Sequence, residues 1–314
     1  KRPRRRLQQI LRVCFTQILL QDRLAKEIVA DVAVAWTKKR FNKHEANFIN
    51  GVLRKFNPEA CDPTSLSKAA QLGLQEDLYK RWNNEFGADK TAELAEAISK
   101  PAAVTARLLN ETLDVDPQWK KLSQQKWFGS EQFYEITNAS EFFKKGDMDG
   151  IYIQDPATMA SLSLLKPQEG EEVADVCAAP GGKSVFIAQK IGDKGLLHSC
   201  DLSEARLKTL EENLADYSNV KFLVQDATQP SLKEESLDAL LLDVPCSNTG
   251  VIRRKPDVQW SFSEQKVKEL VEIQAKILQA CSKLIKKDGR LIYSTCSIEF
   301  SENEKQVEKF LSKN

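Results

Sequence analysis

Strand-like and helical segments alternate between residues 171 and 297, and this alternation constrains the fold more than any other feature of the sequence. Short runs rich in Val, Ile and Leu predict strands at 171–177, 196–201, 220–226, 237–245 and 289–297. The fourth run is apolar throughout, which is typical of a strand covered on both faces. Because helical patterns separate the runs, the sequence predicts an α/β fold with a doubly wound, mostly parallel sheet. Such sheets bind their ligands at the carboxyl ends of the strands.

Helical periodicity accounts for the segments between these strands. Apolar residues recur at helical spacing over 183–191, 203–217 and 263–286. Ser301 and Glu304 have the spacing of a capping box and predict the start of a last helix. Upstream of the sheet we expect helices around 74–86 and 90–98, and Pro101 interrupts that pattern.

The first 58 residues form a separate helical module that carries most of the positive charge. Residues 1–56 hold 14 Lys and Arg against 4 Asp and Glu, whereas residues 57–314 hold 32 against 41. A basic module indicates a polyanionic partner, most often nucleic acid, and a solvated basic helix face is an equal alternative. Three stripes at helical spacing predict the core of the module: Leu7, Ile10, Leu11, Cys14, Ile18 and Leu19; Leu24, Ile28, Val32 and Trp36; Phe48, Ile49, Val52, Leu53 and Phe56.

Cysteine and histidine usage excludes several kinds of site. The chain has 7 cysteines, an odd number at scattered spacings, and no C-x-x-C pair. This pattern is typical of a reducing compartment and argues against a disulfide framework or a zinc ribbon. Only His44 and His198 are present, so we expect no histidine-rich metal centre. From this usage we expect a cytoplasmic protein with no bound metal. No run approaches about 20 apolar residues, so we also expect no membrane association.

A glycine turn links the first predicted strand of the sheet to the following helix. Its glycines allow the backbone to approach a ligand, and the helix N-terminus offers free N–H groups. Asp201 ends the second strand, where a carboxylate can bind two ribose hydroxyls, and Asp226 ends the third, near the place of an adenine amino group. The predicted ligand therefore contains adenosine, and a tight turn without a ligand is the alternative. The turn consists of Cys177, Ala178, Ala179, Pro180, Gly181, Gly182 and Lys183.

Two kinds of cofactor are compatible with this turn. A P-loop that binds a nucleoside triphosphate would need glycine at the position of Cys177. Asp243 would then be the carboxylate at the end of the partner strand. S-adenosylmethionine needs no phosphate cradle, but it does need a ribose-binding carboxylate such as Asp201. The missing glycine favours S-adenosylmethionine, and the dinucleotide pattern G-x-G-x-x-G is also absent.

Two cysteines lie in polar turns after the fourth and fifth predicted strands. Cys246 lies in DVPCSNTG and Cys296 in YSTCS, so a parallel sheet places both at its ligand-binding edge. A thiolate that adds to C6 of a cytosine makes C5 nucleophilic toward a methyl donor. Asp243 is placed to donate a proton to N3, and the second cysteine is placed to promote loss of the C5 proton. The other cysteines are interpreted as small buried apolar residues.

These motifs closely resemble the Sun/Nop2 family of RNA cytosine-C5 methyltransferases. The resemblance implies that Cys296 is the nucleophile, that Cys246 assists product release and that Asp243 contacts the cytosine. It also implies that the glycine turn, Asp201, Arg206, Asp226 and Asp243 hold S-adenosylmethionine. The motifs that carry it are CAAPGGKS at 177–184, DVPCSNTG at 243–250 with RRKPD at 253–257, YSTCS at 293–297 and IQD at 153–155.

The resemblance implies a domain organisation as well. Residues 151–314 would be a Rossmann-like class I methyltransferase domain, and residues 66–150 an RNA-facing subdomain. Residues 1–58 resemble part of a NusB-like RNA-binding domain, chiefly in FINGVLRKF at 48–56. Such a domain is expected to start before residue 1, and the sheet is expected to gain further strands after residue 314.

The pairing of these domains is similar to the bacterial enzymes that modify small-subunit ribosomal RNA. The expected product is 5-methylcytosine in that RNA, and we expect the protein to be a monomer. Arg253, Arg254 and Lys255 follow the Cys246 turn and are expected to hold phosphates, with a solvated loop as the alternative. A P-loop-type nucleotide hydrolase and a non-catalytic RNA-binding assembly factor are the other functions compatible with the sequence. The presence of both cysteines disfavours the second.

Overall fold

The chain folds into two compact units, Lys1–Gln71 and Leu72–Asn314. The computed structural model describes residues 3–21, 23–60, 62–110, 115–146 and 149–313. Across these ranges, no helix is both long enough and apolar enough to cross a membrane.

The first unit is helical, as the sequence predicts. Asn42 caps the third helix, because its side chain accepts a hydrogen bond from the Glu45 N–H. The buried core of the unit consists of Leu7, Leu11, Cys14, Val29, Ala30, Ala33, Ile49 and Leu53. Its helices are α1 (Arg5–Leu20), α2 (Lys26–Arg40), α3 (Lys43–Lys55) and α4 (Lys68–Gln71).

The buried face of α2 differs from the prediction. Ile28, Val32 and Trp36 are 55%, 65% and 52% exposed, whereas the neighbouring stripe that includes Ala33 and Thr37 is buried. The two stripes differ by one residue, or about 100° around the helix. Small residues at the interface allow helices to approach closely, and the hydroxyl of Thr37 donates to the Ala33 carbonyl at 2.7 Å. A count of large apolar residues therefore selected the wrong face.

The second unit begins with helices and a small antiparallel sheet. Two helices occupy the segment around Trp82, which is fully buried. The sheet has the strand order β2-β3-β1-β4. The elements are α5 (Glu76–Phe86), α6 (Ala88–Ser99), β1 (Thr105–Leu108), β2 (Lys120–Lys121), β3 (Phe133–Glu135), α7 (Ala139–Lys145), β4 (Ile151–Ile153) and α8 (Met159–Leu165).

A five-stranded sheet forms the rest of the second unit, and every neighbouring pair in it is parallel. The strand order is β7-β6-β5-β8-β9, so the chain reverses its direction of winding between β5 and β8. This architecture confirms the predicted α/β fold with a parallel sheet. The elements are β5 (Glu172–Asp175), α9 (Gly182–Ile191), β6 (Leu196–Asp201), α10 (Glu204–Asn213), β7 (Val220–Val224), β8 (Leu237–Asp243), α11 (Val258–Ser261), α12 (Glu264–Cys281), β9 (Ile285–Ser294) and α13 (Glu304–Leu311).

The central strand β8 explains why its sequence is apolar throughout. Ala239 and Leu241 pack into the core on one face of the sheet, and Leu240 and Leu242 pack into the core on the other. All four side chains are fully buried. Each buried leucine contributes about 2 kcal/mol of hydrophobic stabilisation. This packing fixes the position of β8, and therefore of its carboxyl end.

Two predicted helix ends are wrong. The helix predicted over 263–286 ends at Cys281, because Ile285 already pairs with Leu237 as the first residue of β9. The last helix begins at Glu304 with Asn303 as its N-cap residue. Ser301 does not cap it, since its hydroxyl accepts a hydrogen bond from Arg81 at 2.7 Å.

Candidate active site

The carboxyl ends of the parallel strands bring the predicted site residues to one edge of the sheet. Asp175, Asp201 and Asp243 are the last residues of β5, β6 and β8, and Ser294 is the last of β9. Asp226 follows two residues after β7. The strand order places these ends around the point where the direction of winding reverses, which is the usual ligand site of such sheets.

The glycine turn between β5 and α9 depends on its glycines for steric reasons. Gly181 has φ of +114°, and a Cβ there would lie 2.8 Å from Leu210 Cδ1. A Cβ on Gly182, the first residue of α9, would lie 2.8 Å from Tyr152 Cε1. The turn can therefore pack against α10 and β4 only with glycine at both positions.

Asp175 supports the turn from inside the protein. It is buried, and one of its carboxylate oxygens accepts a hydrogen bond from the Ser184 hydroxyl of α9 at 2.8 Å. Burial raises its pKa to about 7. Asp175 thus anchors the start of the helix and does not reach the open edge.

Asp201 is a buried hydrogen-bond acceptor at the end of β6. It is 2% exposed and accepts hydrogen bonds from the N–H groups of Ala179 at 3.3 Å and Ser203 at 3.0 Å. Arg206 lies 3.4 Å from the carboxylate and also donates to the Ala179 carbonyl at 2.6 Å. Asp201 and Arg206 therefore hold the glycine turn as well as the end of β6.

Asp226 is exposed and held by a local turn. Its carboxylate accepts hydrogen bonds from the backbone N–H and the hydroxyl of Thr228, each at 2.8 Å. These bonds hold the pKa of Asp226 below its usual range. Asp226 lines the same cavity as Asp201 and Asp243, at the ends of β6 and β8.

That cavity has a volume of about 510 Å³ and joins the two predicted sites. Gly181, Gly182 and Lys183 are not among its lining residues. Among the predicted residues, those that line it are Cys177, Ala179, Pro180, Asp201, Arg206, Asp226, Asp243, Cys246, Lys255 and Cys296.

The two cysteines meet on the wall of this cavity. Cys246 Sγ and Cys296 Sγ lie 3.1 Å apart, and both thiols are free. In its protonated form, Cys296 donates to Asn248 Oδ1 at 2.9 Å. Asn248 has the left-handed φ of 61°, which turns its side chain toward this thiol. Asn248 belongs to the DVPCSNTG motif, but the sequence does not reveal its contact with Cys296, which follows a different strand.

The contact between the two thiols shifts their pKa values in opposite directions. The hydrogen bond from Cys246 lowers the pKa of Cys296, with a further lowering from the Lys183 ammonium and an opposing effect of burial and Asp243. The same contact and burial raise the pKa of Cys246. Cys296 is therefore the thiol that ionises first, and Cys246 keeps its proton.

Asp243 forms an ion pair that the sequence does not reveal. Its Oδ2 lies 2.5 Å from Lys183 Nζ, and its Oδ1 accepts from the Ser294 hydroxyl at 3.0 Å. Lys183 was predicted only as part of the cofactor turn. The pair instead places an ammonium and a carboxylate beside the cysteines.

The three basic residues after the Cys246 turn are placed differently from one another. Arg253 donates to the carbonyls of Lys100 and Pro101, at 3.0 and 2.7 Å. Arg254 pairs with Asp155 at 2.6 Å and donates to the Ala103 carbonyl. Lys255 lines the cavity. Phosphate binding by these residues stays a prediction, and Lys255 is the member that the geometry places best for it.

Comparisons with known proteins show the family to which the chain belongs. Residues 162–314 match the family model of the 16S rRNA methyltransferase RsmB/F, and residues 1–58 match the NusB family. The chain is 31% identical to the ribosomal RNA small subunit methyltransferase B of Serratia proteamaculans, over 98% of this chain and 74% of that protein. This chain belongs to the RsmB/F family of methyltransferases.

A second relative and a solved structure are also similar to the chain over most of its length. The chain is 31% identical to the ribosomal RNA small subunit methyltransferase B of Pasteurella multocida, over 94% of this chain and 69% of that protein. The crystal structure of PH0851 superposes with a TM-score of 0.82 at 25% identity, over 98% of this chain and 73% of that one. The predicted family, with its NusB-like module, is thereby confirmed.

S-adenosylmethionine is the cofactor of the RsmB/F family, as the sequence predicts. The residues of the cavity fit it. Asp201 offers a carboxylate suited to a diol, and Leu202, which lines the cavity beside it, is 70% exposed and offers an apolar surface to a purine. Lys183, which a P-loop would direct at phosphates, is held by Asp243 at 2.5 Å. The P-loop alternative is therefore wrong. Among the described residues, no cluster of His, Cys, Asp and Glu could hold a metal ion.

Proposed function

We propose that this chain methylates C5 of a cytosine in small-subunit ribosomal RNA, with Cys296 as the covalent nucleophile. The observation that carries the proposal is the pair of thiols, 3.1 Å apart, on the cavity that Asp201 and Asp243 also line. The names of the relatives supply the class of RNA. A methyltransferase that did not use covalent chemistry would have no use for two thiols at this place.

Residues around the cavity would hold the cofactor next to the thiols. Asp201 would bind the ribose hydroxyls, with Arg206 fixing its carboxylate, and Asp226 would bind the adenine amino group. The backbone of the glycine turn, at the N-terminus of α9, would contact the remainder of the cofactor. When bound, S-adenosylmethionine supplies an electrophilic methyl group that an electron-rich C5 can take up.

The thiols and the Lys183–Asp243 pair would then make C5 electron-rich. The Cys296 thiolate adds to C6 of the cytosine, so an S–C6 bond forms and the electrons of the ring double bonds move toward N3. N3 takes up a proton from the Lys183–Asp243 pair, whose carboxylate lines the cavity with the two thiols and whose ammonium lies 2.5 Å from that carboxylate. C5 becomes part of an enamine and can attack an electrophile.

Release of the product reverses the addition. C5 gives its proton to a base, which we assign to the Cys246 thiolate, and the electron pair of that C–H bond restores the C5–C6 double bond. The S–C6 bond breaks to return the Cys296 thiolate, and N3 returns its proton to the Lys183–Asp243 pair. Cys246 keeps its proton while the Cys296 thiolate accepts its hydrogen bond, but in the adduct that sulfur is bonded to C6 and no longer raises the pKa of Cys246. Its Sγ, 3.1 Å from the sulfur that carries the adduct, is then placed to accept the C5 proton. Without Cys246, the adduct is expected to persist.

A covalent-trap assay tests the proposal. Cys246→Ala protein is mixed with small-subunit ribosomal RNA and S-adenosylmethionine, and the product is resolved on a denaturing gel. We expect a protein–RNA adduct that disappears when Cys296→Ala is added to the same chain. If cofactor binds and methylation proceeds with no adduct, the covalent mechanism is wrong. If cofactor binds and neither methylation nor adduct appears, a non-catalytic RNA-binding factor is the better interpretation.

Replacement of Asp201 by asparagine is expected to weaken binding of S-adenosylmethionine by about 30-fold, because hydrogen bonds to a charged acceptor are lost. Asn keeps the shape of the side chain and one acceptor for the turn. Isothermal titration calorimetry measures the change, and Asp216→Asn, at an exposed position beyond α10, is the control. An unchanged dissociation constant would remove Asp201 from the cofactor site.

A further inference from the structure

Glu302 is a buried carboxylate behind the two cysteine turns, and the mechanism above does not use it. Its side chain is 0% exposed. One oxygen accepts from the Ser247 N–H and from Gln274 Nε2, each at 2.9 Å. The other accepts from the hydroxyls of Ser247 and Ser297, each at 2.5 Å. One carboxylate therefore receives four donors from three segments of the chain.

Three of the four donors belong to the residues that directly follow the two cysteines. Ser247 follows Cys246 after strand β8, and Ser297 follows Cys296 after strand β9. Gln274 of α12 also donates to the carbonyl of Pro245, the residue before Cys246. The Cys246 turn is therefore held on both sides of its cysteine, and the same carboxylate holds the Cys296 turn.

We propose that Glu302 is a positioning residue that sets the separation of the Cys246 and Cys296 thiols, an inference that rests on the function proposed above. Other bonds also join the two turns, such as the Gly250 N–H to the Cys296 carbonyl at 3.0 Å. The hydroxyls of Ser247 and Ser297 also lie 3.0 Å apart. Glu302 differs from these bonds because one charged group accepts from both hydroxyls, from the Ser247 N–H and from Gln274. A shift of either turn would change the direction in which its sulfur points.

The chemistry of the donor set explains why a glutamate is needed. A carboxylate is acceptor-only and can accept about four hydrogen bonds, which is the number made here. Gln would replace one acceptor oxygen by a donor that faces the hydroxyls of Ser247 and Ser297. Asp would withdraw both oxygens by about 1.5 Å, one carbon–carbon bond. The four charge-assisted bonds offset the cost of burying the charge.

Loss of this clamp has a consequence that ordinary destabilisation lacks. The pKa of Cys296 is lowered chiefly by the hydrogen bond from Cys246, so separating the turns raises it toward that of a free thiol. The other charged groups that face Cys296 are Asp243, which raises its pKa, and Lys183, which lowers it. Both stay in place when Glu302 is changed.

Glu302→Asp tests the inference, with Glu299→Asp as a matched control. Glu299 is also 0% exposed and lies three residues away, but its carboxylate binds Trp82 Nε1 at 2.9 Å and Arg81. The full chain, with both cysteines, is mixed with saturating ribosomal RNA and S-adenosylmethionine at a series of pH values. The single-turnover methylation rate, the KM for RNA and the melting temperature are measured for each variant.

We expect Glu302→Asp to lower the single-turnover rate by about 100-fold, as displacements of about 1 Å do, and to move the midpoint of its pH profile upward. KM should stay within about twofold, and Glu299→Asp should lose stability without moving the midpoint. Equal rate losses in the two variants, or an unmoved midpoint in Glu302→Asp, would overturn the positioning role. Inactive unmodified protein would overturn the proposed function instead.

A second variant covers the case in which Glu302→Asp fails to fold. Ser247→Ala with Ser297→Ala removes both hydroxyl donors to Oε2, while the Ser247 N–H and Gln274 still donate to Oε1 of Glu302. The same upward shift of the pH midpoint is expected. A pH profile identical to that of the unmodified chain would contradict the inference.

Discussion

Replacing Cys296 with alanine is expected to lower the methylation rate by about 10⁴-fold or more, the usual cost of removing a covalent nucleophile. Asn248 cannot substitute for it, because an amide is not a nucleophile, and the Cys246 sulfur lies 3.1 Å from the position of the attacking sulfur. Binding of S-adenosylmethionine should stay within about twofold, since the cofactor residues belong to other strand ends. Radiolabelled methyl transfer to ribosomal RNA measures the rate, and calorimetry the binding.

Cys281→Ala is the control for loss of a thiol. Cys281 is fully buried, and its thiol donates to the Ala227 carbonyl at 3.2 Å, away from the cysteine pair. Its replacement should cost stability through lost packing and leave the methylation rate nearly unchanged. A Cys296→Ala protein that kept a tenth or more of the rate would show that the reaction is not covalent at this residue.

The rate should also depend on pH in a direction set by the cysteine pair. Cys296 reacts as the thiolate, and its pKa lies below the ordinary value because Cys246 donates to it. The rate should therefore rise with pH and level off below the pKa of a free thiol. In Cys246→Ala the donor is absent, so the midpoint for adduct formation should move to higher pH. A lower midpoint in that variant would reverse the assignment of the two thiols.

The parallel sheet is the part of the site that the sequence predicts well. Strand ends fall near Asp201 and Asp243 because these polar residues close runs of apolar ones. Parallel strands bring such ends to one edge whatever the detail of the loops between them. The meeting of Cys246 with Cys296 follows from this rule alone, although their distance does not.

Contacts that depend on tertiary packing could not be predicted from the sequence in this way. The buried face of α2 is set by how closely α3 can approach, and apolar volume gives the opposite answer at Val32 and Trp36. The partner of Lys183 lies 60 positions away on another strand, and the donors to Glu302 come from three segments. No local spacing encodes these pairs. They arise only when separate elements are placed next to each other.

Asp243→Asn is expected to lower the single-turnover rate by about 10³-fold, within the range for loss of a general acid. The amide keeps the shape of the side chain and can still accept from Ser294, but it removes the negative charge that holds Lys183 at 2.5 Å. The proton needed at N3 of the cytosine then has no ordered route. Rate and KM for S-adenosylmethionine are measured separately, because Asp243 also lines the cofactor cavity.

Asp238→Asn is a close control for this change. Asp238 lies on the same strand, β8, pairs with Lys286 at 2.8 Å, and its side chain is 32% exposed against 31% for Asp243. It lies at the other end of the sheet, so its replacement should affect stability modestly and the rate very little. If saturating cofactor restored the Asp243→Asn rate, Asp243 would be a cofactor residue alone. A rate loss that persists at saturation, and is absent from Asp238→Asn, places the proton donor at the end of β8.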